Sequence, residues 1–176
     1  SAGRKVLNSF SYTGAFSFYA LSGAAYLVHS VDISADAVTS VMENLKINSC
    51  DSSRHQAIKA DCFDYLRSME DSFYDMIILD PPAFVKTAGT VEKGARGYKD
   101  INLCAMKKAG KNSLIFTFSC SHHISPDLFR KIVFSAASDS GRKVRILGRL
   151  SQGMDHPCSI YHPEGEYLKG LMLHVE

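Results

Sequence analysis

The chain has 176 residues and a mass of 19.4 kDa, which is the size of one domain. Hydrophobic residues make up 45% and charged residues 22%, which excludes a disordered, collagen-like or coiled-coil chain. The net charge of +2 and pI of about 8.2 are too weakly basic to indicate nucleic-acid binding by themselves. No apolar run approaches the roughly 20 residues of a membrane span, and the first residues lack the apolar run of a secretory signal, so neither feature is expected.

Five cysteines without zinc-knuckle spacing predict reduced thiols in a cytoplasmic protein. Because the first residue is Ser1 rather than Met, we expect a fragment of a longer protein that forms one domain over residues 1–176. The sequence leaves the oligomeric state open, with a homodimer among the alternatives.

Short β-rich apolar runs alternate with helix-like segments along the chain. Strands are predicted over residues 5–10, 26–32, 55–60, 73–79, 112–118, 143–147 and 167–175. Helices are predicted over residues 14–23, 34–48, 61–68, 98–109 and 125–140. A polar stretch over residues 83–97 is predicted as a loop, and its length suggests a functional role. This order predicts an α/β fold with a seven-stranded, mostly parallel sheet, one antiparallel strand, and helices on both faces.

In such a sheet, ligands bind at the carboxyl ends of the strands, so the residues that follow each strand are the candidates for a site. The turn over residues 8–14 lacks the glycines of a dinucleotide-binding loop and the Gly-Lys of a P-loop, which disfavours NAD, FAD and nucleoside triphosphates. It can still wrap a ligand with a carboxylate and an amine. A plain strand-to-helix turn is the alternative.

Three acids follow later strands. Asp32 can accept hydrogen bonds from ribose hydroxyls, with Ile33 as an apolar face for adenine, although it can equally cap a helix. Asp61 can accept from an adenine amino group beside Cys62, and the alternative is again a helix cap. Asp80, which two prolines follow, is harder to explain by a turn alone.

The fifth strand is followed by Cys120 and, two residues later, by His122 and His123. Imidazolium neighbours would lower the pKa of the thiol and raise its thiolate fraction. A zinc site from these three residues has poor spacing, because adjacent residues in a strand point to opposite faces, so no metal is expected. Taken together, the strand ends describe a pocket for S-adenosylmethionine, with Asp80 and Cys120 beside its methyl group.

The chain resembles the S-adenosylmethionine-dependent methyltransferases that modify carbon-5 of a cytosine in large-subunit (23S) ribosomal RNA. The resemblance rests on seven stretches, which are residues 6–14 (VLNSFSYTG), 30–34 (SVDIS), 80–84 (DPPAF), 96–102 (RGYKDIN), 117–121 (TFSCS), 155–157 (DHP) and 163–170 (PEGEYLKG). It implies a Rossmann-like class I methyltransferase fold, S-adenosylmethionine as cofactor with S-adenosylhomocysteine as product, and ribosomal RNA as partner.

The resemblance also implies roles for individual residues. Cys120 would be the nucleophile, and Asp80 would sit at the methyl-transfer site. The cofactor would contact Asn8, Phe10, Ser11, Tyr12, Thr13, Gly14, Asp32, Ile33, Asp61, Cys62, Asp80 and Pro81. Candidate RNA contacts are Arg96, Lys99 and His156, for which a solvated surface or turn packing is the alternative.

Two departures from the family pattern limit the resemblance. The family commonly has lysine where this chain has Ala83, so a substrate contact is either lost or supplied elsewhere. Family members also carry a PUA-type RNA-binding domain before the first strand, so the chain is expected to be the catalytic domain alone. Two other functions stay open: methyl transfer to a guanine nitrogen or protein amide, with Cys120 incidental, and a non-catalytic assembly factor that binds cofactor or RNA.

Overall fold

The computed structural model describes all 176 residues. Its strands are β1 (Lys5–Ser9), β2 (Leu27–Asp32), β3 (His55–Lys59), β4 (Met76–Leu79), β5 (Ser113–Ser119), β6 (Val144–Leu150) and β7 (Lys169–Val175). Its helices are α1 (Ala15–Ser22), α2 (Ala35–Ile47), α3 (Cys62–Ser68), α4 (Val91–Lys108) and α5 (Pro126–Ser140). None of these helices has the length and apolar character needed to traverse a bilayer.

The seven strands form one sheet in the order β3-β2-β1-β4-β5-β7-β6. Only β7 runs against its neighbours β5 and β6, which confirms the predicted mostly parallel sheet with one antiparallel strand. The chain passes from β1 outward to β2 and β3, then returns to β4 on the other side of β1. This reversal places a crevice above the carboxyl ends of β1 and β4, where sheets of this kind bind ligands.

Two apolar layers cover the sheet, one on each face. Successive side chains of a strand point to opposite faces, so Val6 packs in the layer with α1 and α2, whereas Leu7 packs in the larger layer with α3, α4 and α5. Ile78 and Ile77 divide in the same way on β4. The helices on both faces confirm the predicted fold class.

The polar stretch predicted as a loop is partly helical, because α4 begins at Val91 rather than at residue 98. Gly94 and Gly97 made this stretch look irregular, but both glycines have a packing role. A Cβ on Gly97 would lie 3.1 Å from the Phe84 ring, and a Cβ on Gly94 would lie 3.0 Å from the Phe84 carbonyl oxygen. The glycines therefore let the chain after β4 lie directly against the helix.

Strand β6 is longer than predicted and continues to Leu150. Its pairing with β7 shifts register between Ile146 and Gly148. Such a bulge breaks the alternation of apolar and polar residues on which the predicted end depended.

Candidate active site

The sheet register aligns the carboxyl ends of three neighbouring strands. Ser9 pairs with Val31 of β2 and with Leu79 of β4, so Phe10, which follows Ser9, stands level with Asp32 and Asp80. Leu79 in turn pairs with Thr117 of β5, which brings the exit of β5 to the same edge. The predicted candidates on β1, β2, β4 and β5 thus gather at one crevice.

The turn between β1 and α1 has an unusual backbone. Phe10 and Tyr12 adopt positive φ angles of 60° and 46°, and Gly14 adopts 88°. Left-handed backbone costs a non-glycine residue on the order of 1 kcal/mol or more, and such residues cluster at functional sites. The turn is held by a hydrogen bond of 2.8 Å from the Gly14 amide to the Ser11 carbonyl oxygen.

Asp32 ties this turn to the end of β2. Its Oδ2 accepts a hydrogen bond of 2.9 Å from the Tyr12 amide, and its Oδ1 accepts one of 2.9 Å from the Ser34 amide. Ser34, not Asp32, is the cap of α2, because its hydroxyl accepts from the Ala37 amide. Each carboxylate oxygen can accept a further bond, so Asp32 is free to bind a ligand hydroxyl. Ile33 beside it is 64% exposed.

Asn8 is buried below the turn rather than on its surface. It is 1% exposed, and its amide nitrogen donates to the Ser17 hydroxyl of α1 at 2.9 Å. Asn8 therefore supports the turn from beneath, while the half-buried Thr13 and the exposed Tyr12 form its outer side.

Several buried hydroxyl groups at this edge have no partner in the protein, namely those of Ser9, Ser11 and Thr117. Buried polar groups are nearly always paired, so these unpaired oxygens fit a crevice that receives a polar ligand. The two oxygens of Asp32 and the left-handed turn fit the same kind of ligand. The residues present are therefore suited to S-adenosylmethionine.

Asp61 caps α3, which was the alternative to a ligand role. Its Oδ1 accepts from the amides of Phe63 and Asp64 at 2.8 and 3.1 Å. Cys62 is 3% exposed, and its sulfur accepts a hydrogen bond from the Phe10 amide at 3.2 Å. Burial, above all other causes, raises the pKa of the Cys62 thiol to about 12, so this group stays neutral and acts as a support of the turn.

The Phe63 ring contributes to an aromatic wall beside the turn. It lies 6.2 Å from the Phe10 ring and 5.6 Å from the Phe84 ring, measured between centroids. All three rings are partly exposed, which gives the crevice an apolar side able to hold a flat heterocycle.

Asp80 and Cys120 lie together where β4 and β5 end. The Cys120 sulfur lies 3.8 Å from the carbonyl oxygen of Pro81, the residue after Asp80. Burial raises the pKa of the Asp80 carboxyl. Burial also raises the pKa of the Cys120 thiol, and the negative charge of Asp80 raises it further.

The expectation that imidazole neighbours lower the pKa of the Cys120 thiol was wrong. His122 and His123 are both exposed, and neither contributes to the shift. The His122 ring packs against Tyr167 instead, at 6.1 Å between centroids. No three His, Cys, Asp or Glu side chains are arranged to hold a metal ion.

The cation that lowers the pKa of the Cys120 thiol is Lys169, which sequence reasoning missed. Its ammonium donates hydrogen bonds to the carbonyl oxygens of Ser121 and Tyr167 at 2.7 and 2.6 Å. The sequence did carry a signal for Lys169, because it stands at the start of an apolar strand. Buried lysines are rare, so such a position indicates a special environment.

Ser121 was also missed, and it joins three elements around Cys120. Its hydroxyl lies 2.9 Å from the Tyr98 hydroxyl and accepts from the Val85 amide at 3.2 Å. The segment after Asp80, helix α4 and strand β7 are thus tied to the residue that follows Cys120.

The candidate RNA contacts lie on two separate surfaces. Lys99 on α4 pairs with Asp139 at 2.6 Å, and Arg96 pairs with Glu92 at 3.4 Å. His156 instead lines a cavity of about 920 Å³ between the start of α5 and residues 151–168. Lys169 and His122 also line this cavity, whereas no residue of the turn between β1 and α1 does.

Comparison with known proteins gives one family. Residues 1–150 match the family model described as S-adenosylmethionine-dependent methyltransferase. The chain is 46% identical over 172 residues to ribosomal RNA large subunit methyltransferase I of Alteromonas mediterranea, covering 97% of this chain and 43% of the relative. The protein of the same name from Cronobacter sakazakii is 42% identical over 174 residues, covering 98% and 44%. The chain therefore spans less than half the length of these relatives.

Solved structures share the whole fold. SMU.776, described as a methyltransferase complexed with SAH, superposes with a TM-score of 0.84 at 26% identity, over 99% of this chain and 46% of that one. Trm5b from Pyrococcus abyssi superposes with a TM-score of 0.72 at 20% identity, over 100% and 45%, and supports the fold alone.

Proposed function

The chain belongs to the family of S-adenosylmethionine-dependent methyltransferases, and from that premise we propose that it methylates carbon-5 of a cytosine in 23S ribosomal RNA through a covalent bond to Cys120. The observation that carries the proposal is the position of Cys120 beside Asp80, at the strand ends next to the cofactor turn. The names of relatives with 42–46% identity support ribosomal RNA as the substrate.

The cofactor site would be formed by the turn and the two strands beside it. Asp32 would accept hydrogen bonds from the ribose, with Ile33 and the aromatic wall on either side of the adenine. Ser11 and the amides of the turn would face the polar end of the ligand. When bound, S-adenosylmethionine supplies a methyl group that is activated by a positive sulfonium.

Cys120 would make carbon-5 reactive. Carbon-5 of cytosine is a poor nucleophile while the ring is aromatic. The thiolate adds to carbon-6, and the electrons of the broken double bond make carbon-5 an enamine-like nucleophile. After carbon-5 has gained its methyl group, it loses its proton to water. The electrons of that carbon–hydrogen bond form the double bond between carbon-5 and carbon-6 as the carbon–sulfur bond breaks and releases the thiolate. A thiolate suits both steps because it attacks well and leaves well.

Asp80 would assist the addition by holding the cytosine edge. Burial raises the pKa of its carboxyl, so the carboxylate more readily takes up a proton that it can share with the ring nitrogen once the base is bound. A proton shared with that nitrogen draws electrons from carbon-6 and makes it easier to attack. The base must leave its stack to reach the crevice, which costs a few kcal/mol and favours unpaired RNA.

The RNA would be held by positive and polar groups around the crevice. Arg96, Lys99 and His156 remain the proposed contacts, and the cavity beside His156 has room for a nucleotide. We assign residues 1–176 as the catalytic domain and expect weak RNA binding without the remainder of a full-length protein.

A covalent adduct tests the proposal. The intact protein is incubated with cofactor and ribosomal RNA that contains 5-azacytidine, whose nitrogen at position 5 prevents release of the enzyme. The wild type and a Cys104→Ala control should form a stable adduct, and Cys120→Ala should not. Cytosine methylation by Cys120→Ala would disprove the assigned nucleophile.

A methyltransferase that acts on an exocyclic nitrogen is the second candidate. The raised pKa of the Cys120 thiol favours it, since such a reaction needs no thiolate. In that case Asp80 would hold an amino group, no adduct would form, and Cys120→Ala would retain its activity.

A further inference from the structure

Lys169 is a buried lysine at the first position of β7 and is 9% exposed. Burial of an ammonium group is costly unless an opposite charge compensates it. Its two hydrogen-bond acceptors, the carbonyl oxygens of Ser121 and Tyr167, are both neutral. No carboxylate acts on its charge, and burial lowers its pKa. The protein therefore keeps a buried cation without an anionic partner.

The sheet places this cation beside Cys120. Lys169 pairs with Ser119 in the antiparallel register of β5 and β7, and its ammonium bonds the carbonyl of Ser121. The two residues that Lys169 holds are thus the ones on either side of Cys120. An ammonium has three donors, and only two of them are used within the protein.

The other charged and titratable groups around Cys120 do not replace Lys169. Asp80 from the end of β4 opposes ionisation of the thiol. His122 and His123 on the same loop are both exposed, and the His122 ring packs against Tyr167. The hydroxyl of Tyr98 on α4 forms a hydrogen bond with the Ser121 hydroxyl.

We propose that Lys169 is a positioning residue for the thiolate of Cys120. When the Cys120 thiol releases its proton to water, the thiolate becomes the anionic partner that the Lys169 ammonium otherwise lacks. This inference rests on the proposed function, in which Cys120 must ionise before it adds to carbon-6. The contacts of Lys169 would then have a second role, because the hydrogen bond to the Ser121 carbonyl oxygen holds the ammonium at the carboxyl end of β5.

The test measures ionisation of Cys120 without catalysis. The intact protein is alkylated with iodoacetamide between pH 6 and pH 10, and each cysteine is followed by mass spectrometry of its tryptic peptide. Cys120 lies alone in the peptide of residues 112–130, and Cys104 lies in that of residues 100–107, so Cys104 serves as an internal reference.

Lys169→Gln removes the charge but keeps an amide that can donate to the same carbonyl groups. We expect it to slow alkylation of Cys120 at pH 8 at least five-fold and to move its midpoint to higher pH, with Cys104 unchanged. Lys169→Arg, which keeps the charge, should stay within two-fold of the wild type. Should Lys169→Gln fail to fold, Lys169→Met gives the same comparison.

An unchanged midpoint for Cys120 in Lys169→Gln would overturn the inference. So would an equal effect of Lys169→Gln and Lys169→Arg, because the role would then be structural. In methylation assays, Lys169→Gln should lower kcat with little change in KM and recover as pH rises. Failure of the proposed function is distinguishable, because Cys120→Ala would then retain methyl-transfer activity whatever the alkylation midpoint is.

Discussion

Tyr98 and Ser121, which are 23 positions apart in the chain, share a hydrogen bond of 2.9 Å between their buried hydroxyl groups. The Tyr98 hydroxyl also lies 3.5 Å from the Phe84 amide, and the Ser121 hydroxyl accepts from the Val85 amide. Helix α4 thus fixes the segment after Asp80 against the segment after Cys120. The spacing of the two proposed catalytic groups depends on this link.

Removing the Tyr98 hydroxyl tests the link. Tyr98→Phe should lower the free energy of unfolding by about 1–2 kcal/mol, because Ser121 and Phe84 lose a buried partner. Methylation should fall further than stability explains, since the two loops separate. Urea denaturation and methyl-transfer assays measure both effects. Tyr26→Phe, at a tyrosine that is 65% exposed, is the control and should change neither.

Asp32 is expected to be the main polar contact of the ribose. Asp32→Ala removes two charge-assisted acceptors and also frees the Tyr12 amide that holds the turn. We expect at least a ten-fold loss of affinity for S-adenosylhomocysteine, equivalent to about 1.4 kcal/mol or more. Isothermal titration calorimetry measures it, with Asp36→Ala on the exposed start of α2 as the control. Unchanged affinity would remove Asp32 from the site.

The fold could be predicted because its signals are local. Each strand is a short apolar run, and helices α2 and α5 begin at serines whose hydroxyls accept hydrogen bonds from backbone amides of the first turn. The predictions failed where distant packing decides the local structure. Gly94 and Gly97 leave room in the helix for the chain around Phe84, which packs closely against both, and Phe84 lies outside that helix.

The site residues, too, could be predicted where the signal is local and were missed where distant packing brings them together. Asp32, Asp80 and Cys120 could be located because each lies at the end of a strand or directly after it, and parallel strands end at one edge. Lys169 could not be located in this way, because its partner Ser121 is 48 positions away. The contact exists only through the long antiparallel pairing of β5 with β7. Likewise, the exposure of His122 depends on tertiary packing rather than on its distance from Cys120 in the sequence.

Gly14 provides a test of the cofactor turn. It has φ of 88°, and a Cβ there would lie 3.0 Å from the Phe18 ring and 3.1 Å from Val41. Gly14→Ala should therefore destabilise the protein by about 1–3 kcal/mol and weaken binding of S-adenosylhomocysteine. Urea denaturation and calorimetry measure the two effects. Gly89→Ala is the matched control, because no atom lies within 4 Å of its new methyl group. Equal behaviour of the two variants would show that the turn tolerates a side chain.

His55 is expected to make the fold sensitive to mild acid. Its Nε2 lies 2.8 Å from the Ser30 hydroxyl, and its Nδ1 is buried without a partner. Burial, with a smaller effect from His29, lowers the pKa of His55 to about 4, whereas an unfolded histidine titrates near 6.5. Between these values the unfolded chain binds a proton that the folded protein does not, so stability is complete above pH 6.5 and declines as pH falls toward 4.

The measurement is the free energy of unfolding at pH 7.5 and pH 5.0. Wild type should lose on the order of 1–2 kcal/mol more between these pH values than His55→Gln, whose amide does not titrate. Groups other than His29 contribute equally to both proteins, so the difference isolates His55 together with its coupling to His29. His123→Gln, at an exposed histidine, should keep the full loss of the wild type. If His55→Gln shows the same pH dependence as wild type, the imidazole titrates normally in the folded protein, and the buried contact with Ser30 carries no penalty for protonation.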